Sequence, residues 1–324
     1  VFRILIVAAI MLIAPSASKK QVTLFLVGDS TMADKTELDI SPEVGWGQVF
    51  PTFLNGKIVV QNHAMNGRST KSFQTEGRWQ VVLDRISKGD IVIIQFGHND
   101  QKQSDPVRYA SIPDYMNNLR KMTTEAQAKG ATVIIATPIS RRHFDSKTGE
   151  LIPKHTSYPY AARMVAKEMN VALLDMEEAT TEWLIGLGDE ASKKYFMNVS
   201  AGECKKFPDG KIDNTHLREN GALEVGSMAA EMIVNQKIKP ITTTTNSKGN
   251  LEISGIDLIT LAEKYETPLY VIDEVTLTKM ANDYKEAFSK YEKTKMTFAS
   301  KALMTSAIAK IFHNLGFGFD VVSK

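Results

Sequence analysis

Five short apolar runs constrain this chain more than any other feature: VTLFLV (22–27), KIVVQN (57–62), DIVIIQF (90–96), TVIIAT (132–137) and VALLDM (171–176). Most are continuously apolar rather than alternating, the pattern of a strand covered on both faces. Helical patterns follow them at 45–54, 77–88, 112–129, 158–169 and 219–236. The third carries Pro113 near its start, where the missing N–H costs nothing, and stops at Gly130, a residue suited to a helix end. Strand–helix alternation of this kind predicts an α/β fold: a doubly wound parallel sheet with helices on both faces. Ligands of such sheets lie at the carboxyl ends of the strands.

Those strand ends are where the polar residues collect. The first strand runs into GDST (28–31), the second into NHAMNGRST (62–70) and the third into FGHND (96–100), and DNTHLREN (213–220) precedes the last helix. Ser30, after a strand and ahead of a helical stretch, has three readings: a helix N-cap, a phosphate-cradle hydroxyl or a nucleophile. A phosphate cradle is poorly supported, because neither G-x-x-x-x-G-K-[ST] nor G-x-G-x-x-G occurs. The G-x-S-x-G elbow is absent as well.

A nucleophilic serine needs a base and a group that orients the base. His216 is the natural base, and Asp213 stands three residues before it, so that one short turn presents both side chains. Donors for an oxyanion are available in the backbone N–H of Ser30, the backbone N–H of Gly67 and the Asn99 amide. A glycine at 67 leaves room for close substrate approach. The six histidines (63, 98, 143, 155, 216, 313) lack i,i+3 or i,i+4 pairing, so metal ligation is weakly supported. On these residues alone, cap and nucleophile both stay open.

GDST, NGRST, GHND and DNTH resemble the four blocks of the GDSL/SGNH hydrolases, with Ser30, Gly67, Asn99 and His216 in family order. The wider wording is similar to rhamnogalacturonan acetylesterases over residues 22–237: GDSTMAD, GWGQ (45–48), NGRSTKSF, EGRW (76–79), IQFGHNDQK, TPISRRHF (137–144) and DNTHLRENGA. The resemblance implies a flavodoxin-like SGNH sheet and a serine esterase that removes O-acetyl groups from pectin through an acyl-enzyme. Ser30 would be the nucleophile, His216 the base and then acid, and Asp213 its orienter. Ser30, Gly67 and Asn99 would form the oxyanion hole. No cofactor is implied, and the partner is an acetylated polysaccharide. Arg68, Arg141 and Arg142 are candidate substrate contacts or solvated charges, whereas Trp46 and Trp79 read as core rather than as sugar platforms. A lipase- or thioesterase-type SGNH enzyme is the alternative within the class, and a non-catalytic pectin-binding module is an alternative outside it.

Residues 1–18 read as a secretory signal: Arg3, an apolar run to Ala14, then small residues. The expectation is a secreted or periplasmic protein with no stable membrane anchor after cleavage. The single cysteine, Cys204, forms no intrachain disulfide. A net charge of +2, with no basic stripe, gives no reason to expect nucleic acid.

Residues 238–250, with Pro240 and four consecutive threonines, read as a linker. Beyond it, LITLAEKY, TPLYVIDE and FASKA resemble the beginning of diaminopimelate decarboxylase, and Lys301 matches the lysine that in that family binds pyridoxal phosphate. A (β/α)8 barrel needs about eight strand–helix units, and residues 251–324 match only the first two or so of them. The expectation is a truncated barrel fragment in which Lys301 holds no cofactor; a pyridoxal-phosphate-dependent amino-acid decarboxylase fragment, with Lys301 binding the cofactor, is the alternative of a different class.

Overall fold

A computed structural model describes residues 21–54, 58–236, 238, 252–253, 256–265, 271–272, 274–289, 291, 294–299 and 305–320. The expected signal at 1–18, Lys301 and all of the 238–250 linker except Ile238 lie outside these residues. The chain divides into two units, Val1–Thr243 and Thr244–Lys324.

In the first unit the five apolar runs form β1 (Val22–Gly28), β2 (Ile58–Asn62), β3 (Ile91–Gln95), β4 (Thr132–Ala136) and β5 (Ala172–Leu174). All pair in parallel, in the order β2-β1-β3-β4-β5. Side chains alternate across each strand, and both faces are covered. Leu24, Leu26, Ile91, Ile93 and Ile134 enter one core with Trp46, Phe50 and Val225. Phe25, Val27, Val92, Ile94 and Ile135 enter the other with Phe73, Trp79, Tyr115 and Leu119. Two-sided burial explains the continuous apolar runs, since each such side chain taken from water contributes roughly 1.5–3 kcal/mol. It also assigns Trp46 and Trp79 to the cores, where Trp46 donates to Gln95 Oε1 at 3.0 Å and Trp79 to Glu125 Oε2 at 2.7 Å.

The expected helices appear as α1 (Trp46–Val49, continued by a 3-10 turn to Phe53), α3 (Arg78–Arg85), α4 (Ile112–Ala128), α5 (Tyr158–Glu168) and α7 (Glu219–Asn235). Sequence reasoning missed α2 (Thr70–Thr75), which is short and held by a capping box between Ser69 and Ser72. It also missed α6 (Met176–Ser192), whose pattern is broken by Gly186 and by Gly188 at φ +76°. A third omission is the antiparallel hairpin of β6 (Phe196–Val199) and β7 (Lys211–Leu217). Ile238, just past α7, is buried in the first core.

The second unit contains an antiparallel pair, β8 (Glu252–Ile253) and β9 (Ile256–Asp257), followed by α8 (Leu258–Tyr265) and α9 (Glu274–Phe288). A parallel strand–helix–strand unit comes next: β10 (Thr297–Ala299), α10 (Ser306–Asn314) and β11 (Gly318–Asp320). Phe298 stacks on Phe312 at 4.1 Å, and Ala281, Ile308 and Phe317 complete that small core.

Candidate active site

Ser30 follows β1, a central strand flanked by β2 and β3, at the carboxyl edge of the sheet. There the sheet order reverses, β2 lying to one side of β1 and β3 to the other, which is where ligands of such sheets bind. The helix-cap reading fails, because no helix begins at Ser30 and the next one starts at Trp46. The Asp29 carbonyl instead accepts the N–H groups of Met32 (3.2 Å) and Ala33 (3.0 Å), closing a single turn. Asp29 Oδ1 accepts the Thr31 N–H at 3.0 Å and the Thr31 hydroxyl at 2.9 Å. The Gln95 amide donates to Thr31 Oγ1 at 2.8 Å. The Gly-Trp-Gly stretch lies against this turn: a Cβ on Gly45 would sit 2.1 Å from the Ala33 carbonyl oxygen. One on Gly47 would sit 2.5 Å from that of Met32. Only glycine lets the two backbones meet, and the turn that presents Ser30 is clamped as a result.

His216 reaches this turn from β7. The Ser30 hydroxyl lies 2.9 Å from His216 Nε2, and Asp213 Oδ2 lies 2.7 Å from His216 Nδ1. An ionised carboxylate only accepts, so Nδ1 carries the proton and Nε2 is left to accept from Ser30. The short turn expected around D-x-x-H is a bulge. Phe196 pairs with Leu217 and Met197 with Asp213, so Asn214, Thr215 and His216 loop out of the ladder. Asp213 Oδ1 holds the loop by accepting the N–H groups of Thr215 (2.9 Å) and His216 (3.1 Å). Burial pushes the Asp213 carboxyl up, but its hydrogen bond and charge interaction with His216, followed by Lys211, hold it well below the usual carboxylate range.

Arg141 and Arg142, candidate substrate contacts by sequence, bind the bulge from outside β7. Arg141 donates to the Thr215 hydroxyl and, at 3.3 Å, to the His98 carbonyl. Arg142 is buried, donates to Asn214 Oδ1 at 2.7 Å and to Ser192 Oγ at 2.9 Å, and pairs with Asp189. The donors of Arg142 are thus committed to the protein's own loops. Arg68 is at the surface, paired with Glu76 at 3.0 Å.

Gly67 has φ +77°, and this left-handed conformation is what calls for glycine there; a Cβ would meet Arg108 only at an ordinary 3.5 Å. Asn99 is buried, its Nδ2 donates to the Arg68 carbonyl at 2.9 Å, and its Oδ1 accepts from Lys102 Nζ at 2.8 Å. Lys35 ties the Ser30 turn to the β2 loop, donating to the Ser30 carbonyl and to Asn66 Oδ1, each at 2.6 Å. No acceptor among the described residues takes the backbone N–H of Ser30 or Gly67. The arrangement supplies a hydroxyl, a base, an orienting carboxylate and free donors at one strand edge, which is what acyl transfer requires.

Beneath the turn lies a buried set that sequence reasoning did not single out: Asp29, His98, Asp100 and His155. Asp29 Oδ2 accepts from His98 Nδ1 at 3.2 Å, and the two imidazoles meet edge to face at 4.4 Å. Burial alone would raise the Asp29 carboxyl, but His98 and Thr31 bring it down to about 2. Burial pushes both histidines below their ordinary value. Asp100 goes the other way: burial raises its carboxyl to about 7, against the Thr70 donors at 2.9 and 2.5 Å.

Between its unfolded value of 3.8 and its folded value of about 7, native Asp100 holds a proton that the unfolded chain has released. Its contribution to stability therefore falls as pH rises through that window. Asp100→Asn mimics the protonated acid. Its stability relative to wild type is expected to rise by up to about 4 kcal/mol between about pH 4 and about pH 8. Urea unfolding of both proteins at the two pH values measures this. Taking the difference cancels the histidines, which titrate in both proteins.

Among the described residues, no three His, Cys, Asp or Glu side chains converge as for a metal ion.

A family model described as the GDSL-like lipase/acylhydrolase family matches residues 26–199. The rhamnogalacturonan acetylesterase RhgT of Bacillus subtilis is 39% identical over 215 residues, spanning 66% of this chain and 90% of that protein. The crystal structure of YxiM, also from Bacillus subtilis, superposes with a TM-score of 0.59 at 26% identity, covering 68% of this chain and 58% of that one. Towards the other end, 91 residues are 38% identical to a diaminopimelate decarboxylase of Synechocystis sp., which is 28% of this chain and 19% of that protein. The chain therefore spans about a fifth of the decarboxylase's length.

Proposed function

The chain belongs to the GDSL-like lipase/acylhydrolase family and is a carboxylic ester hydrolase; we propose that it removes O-acetyl groups from rhamnogalacturonan through an acetyl-Ser30 intermediate. The observation that carries the mechanism is the continuous chain from Ser30 Oγ through His216 to Asp213, at 2.9 and 2.7 Å. The substrate rests on the likeness to RhgT over 90% of that relative.

In the first step Ser30 Oγ attacks the acetyl carbonyl carbon while its proton passes to His216 Nε2. The carbonyl oxygen becomes an oxyanion that meets the free N–H groups of Ser30 and Gly67 and the second N–H of the Asn99 amide. Asp213 steadies the imidazolium. The intermediate collapses as His216 gives its proton to the departing sugar oxygen, leaving acetyl on Ser30. Water then attacks the acetyl group with His216 again as base, acetate leaves, and the Ser30 hydroxyl is restored. Export to the cell exterior, where the polymer lies, is part of this reading, and the apolar run at 1–14 with small residues behind it supports it.

The test is acetate release from acetylated rhamnogalacturonan, acetylated xylan and nitrophenyl acetate. Higher kcat/KM on the first polymer than on the second is the expected result. Release from xylan alone would overturn the substrate assignment but not the chemistry.

A further inference from the structure

Lys211 lies two residues before Asp213 on β7, so both side chains leave the same face of the strand. Its Nζ sits 2.8 Å from Asp213 Oδ2, the oxygen that also accepts from His216 Nδ1 at 2.7 Å. Asp213 Oδ1 is occupied by two backbone N–H groups. The carboxylate therefore accepts four hydrogen bonds, and the base shares its counter-charge with a cation.

We propose that Lys211 is a positioning residue that tunes the base, its ammonium on Asp213 Oδ2 keeping His216 neutral and proton-accepting to lower pH than the aspartate alone would allow. This rests on the esterase reading, in which His216 acts as base. An unshared carboxylate favours the imidazolium. A cation on the same oxygen opposes that preference while still fixing the carboxylate in place. The Lys211 Nζ also lies over the Phe207 ring, 4.5 Å from its centroid, a second contact that holds the ammonium in position.

Other charged groups surround the imidazole. Glu43 acts on it from the segment before α1 and is itself paired with Lys35 at 2.9 Å. His98, bound to Asp29, and Arg141, bound to Thr215, stand on the β3 and β4 sides. None of these is hydrogen-bonded to Asp213, so Lys211 is the cation whose removal changes the orienting carboxylate directly.

The experiment is the pH dependence of kcat/KM on nitrophenyl acetate for wild type, Lys211→Met and Lys211→Arg. NMR titration of the His216 imidazole in each protein reads the same ionisation without relying on turnover. In Lys211→Met the acid limb and the NMR midpoint are expected to move up by about half a unit or more, whatever the height of the plateau. Lys211→Arg is expected to restore both. An unmoved midpoint in Lys211→Met, or an arginine variant shifted as far as the methionine one, would overturn the proposal. Failure of the esterase reading would look different, since wild type itself would then show no acid limb matching the His216 titration.

Discussion

Ser30→Ala is expected to lower acetate release by about ten-thousandfold or more while leaving the fold and its melting temperature nearly unchanged. In the proposed mechanism the hydroxyl is the atom to which the acetyl group is transferred, 2.9 Å from His216 Nε2. Its removal leaves a methyl group on a turn held by other atoms: the Asp29 carbonyl and carboxylate, Thr31, Gln95 and the Gly45–Gly47 backbone. Residual activity would come from the oxyanion donors acting on a water molecule. The loss should fall on kcat, because the hydroxyl contributes little to binding the polymer. Circular dichroism alongside the assay separates lost chemistry from lost structure.

Asp213→Asn is expected to cost about a thousandfold to ten-thousandfold in kcat, for three reasons that reinforce one another. An amide cannot present two accepting oxygens, so either His216 Nδ1 or the bulge loses its partner. If the amide nitrogen faces Nδ1, the imidazole is driven to the tautomer that protonates Nε2, which cannot then accept from Ser30. The imidazolium formed in the transition state also loses its counter-charge, and Lys211 is left beside a neutral group. A loss below about tenfold would show that His216 does not depend on Asp213.

Much of the site is legible in the sequence because Ser30, Gly67 and Asn99 each follow a strong apolar run. A parallel sheet with β1, β3 and β4 buried at its centre leaves little choice about where GDST, NGRST and GHND end up. The parts that were hidden depend on weak or tertiary signals. β6 and β7 are short, the bulge at 214–216 breaks any alternation in β7, and Asp213 and His216 were accordingly read as a turn. As a strand, 211–217 puts Lys211 and Asp213 on one face at i,i+2. Arg142 looked free for substrate because Asp189 and Asn214, which occupy it, lie 47 and 72 residues away. The Asp29–His98 pair was equally invisible, since nothing local marks two polar residues as buried together 69 residues apart.

The most direct measurement is made on the proposed acetyl carrier, Ser30. Nitrophenolate leaves so readily that acetylation should outrun deacetylation, and acetyl-enzyme should accumulate. Wild type mixed with excess nitrophenyl acetate is quenched in acid during turnover, digested and analysed by peptide mass spectrometry. The expected result is one acetyl group per chain, on Ser30, absent from Ser30→Ala and preceded by a burst of nitrophenolate. Turnover that continues with Ser30 unmodified, or with the acetyl group on another residue, would contradict the account.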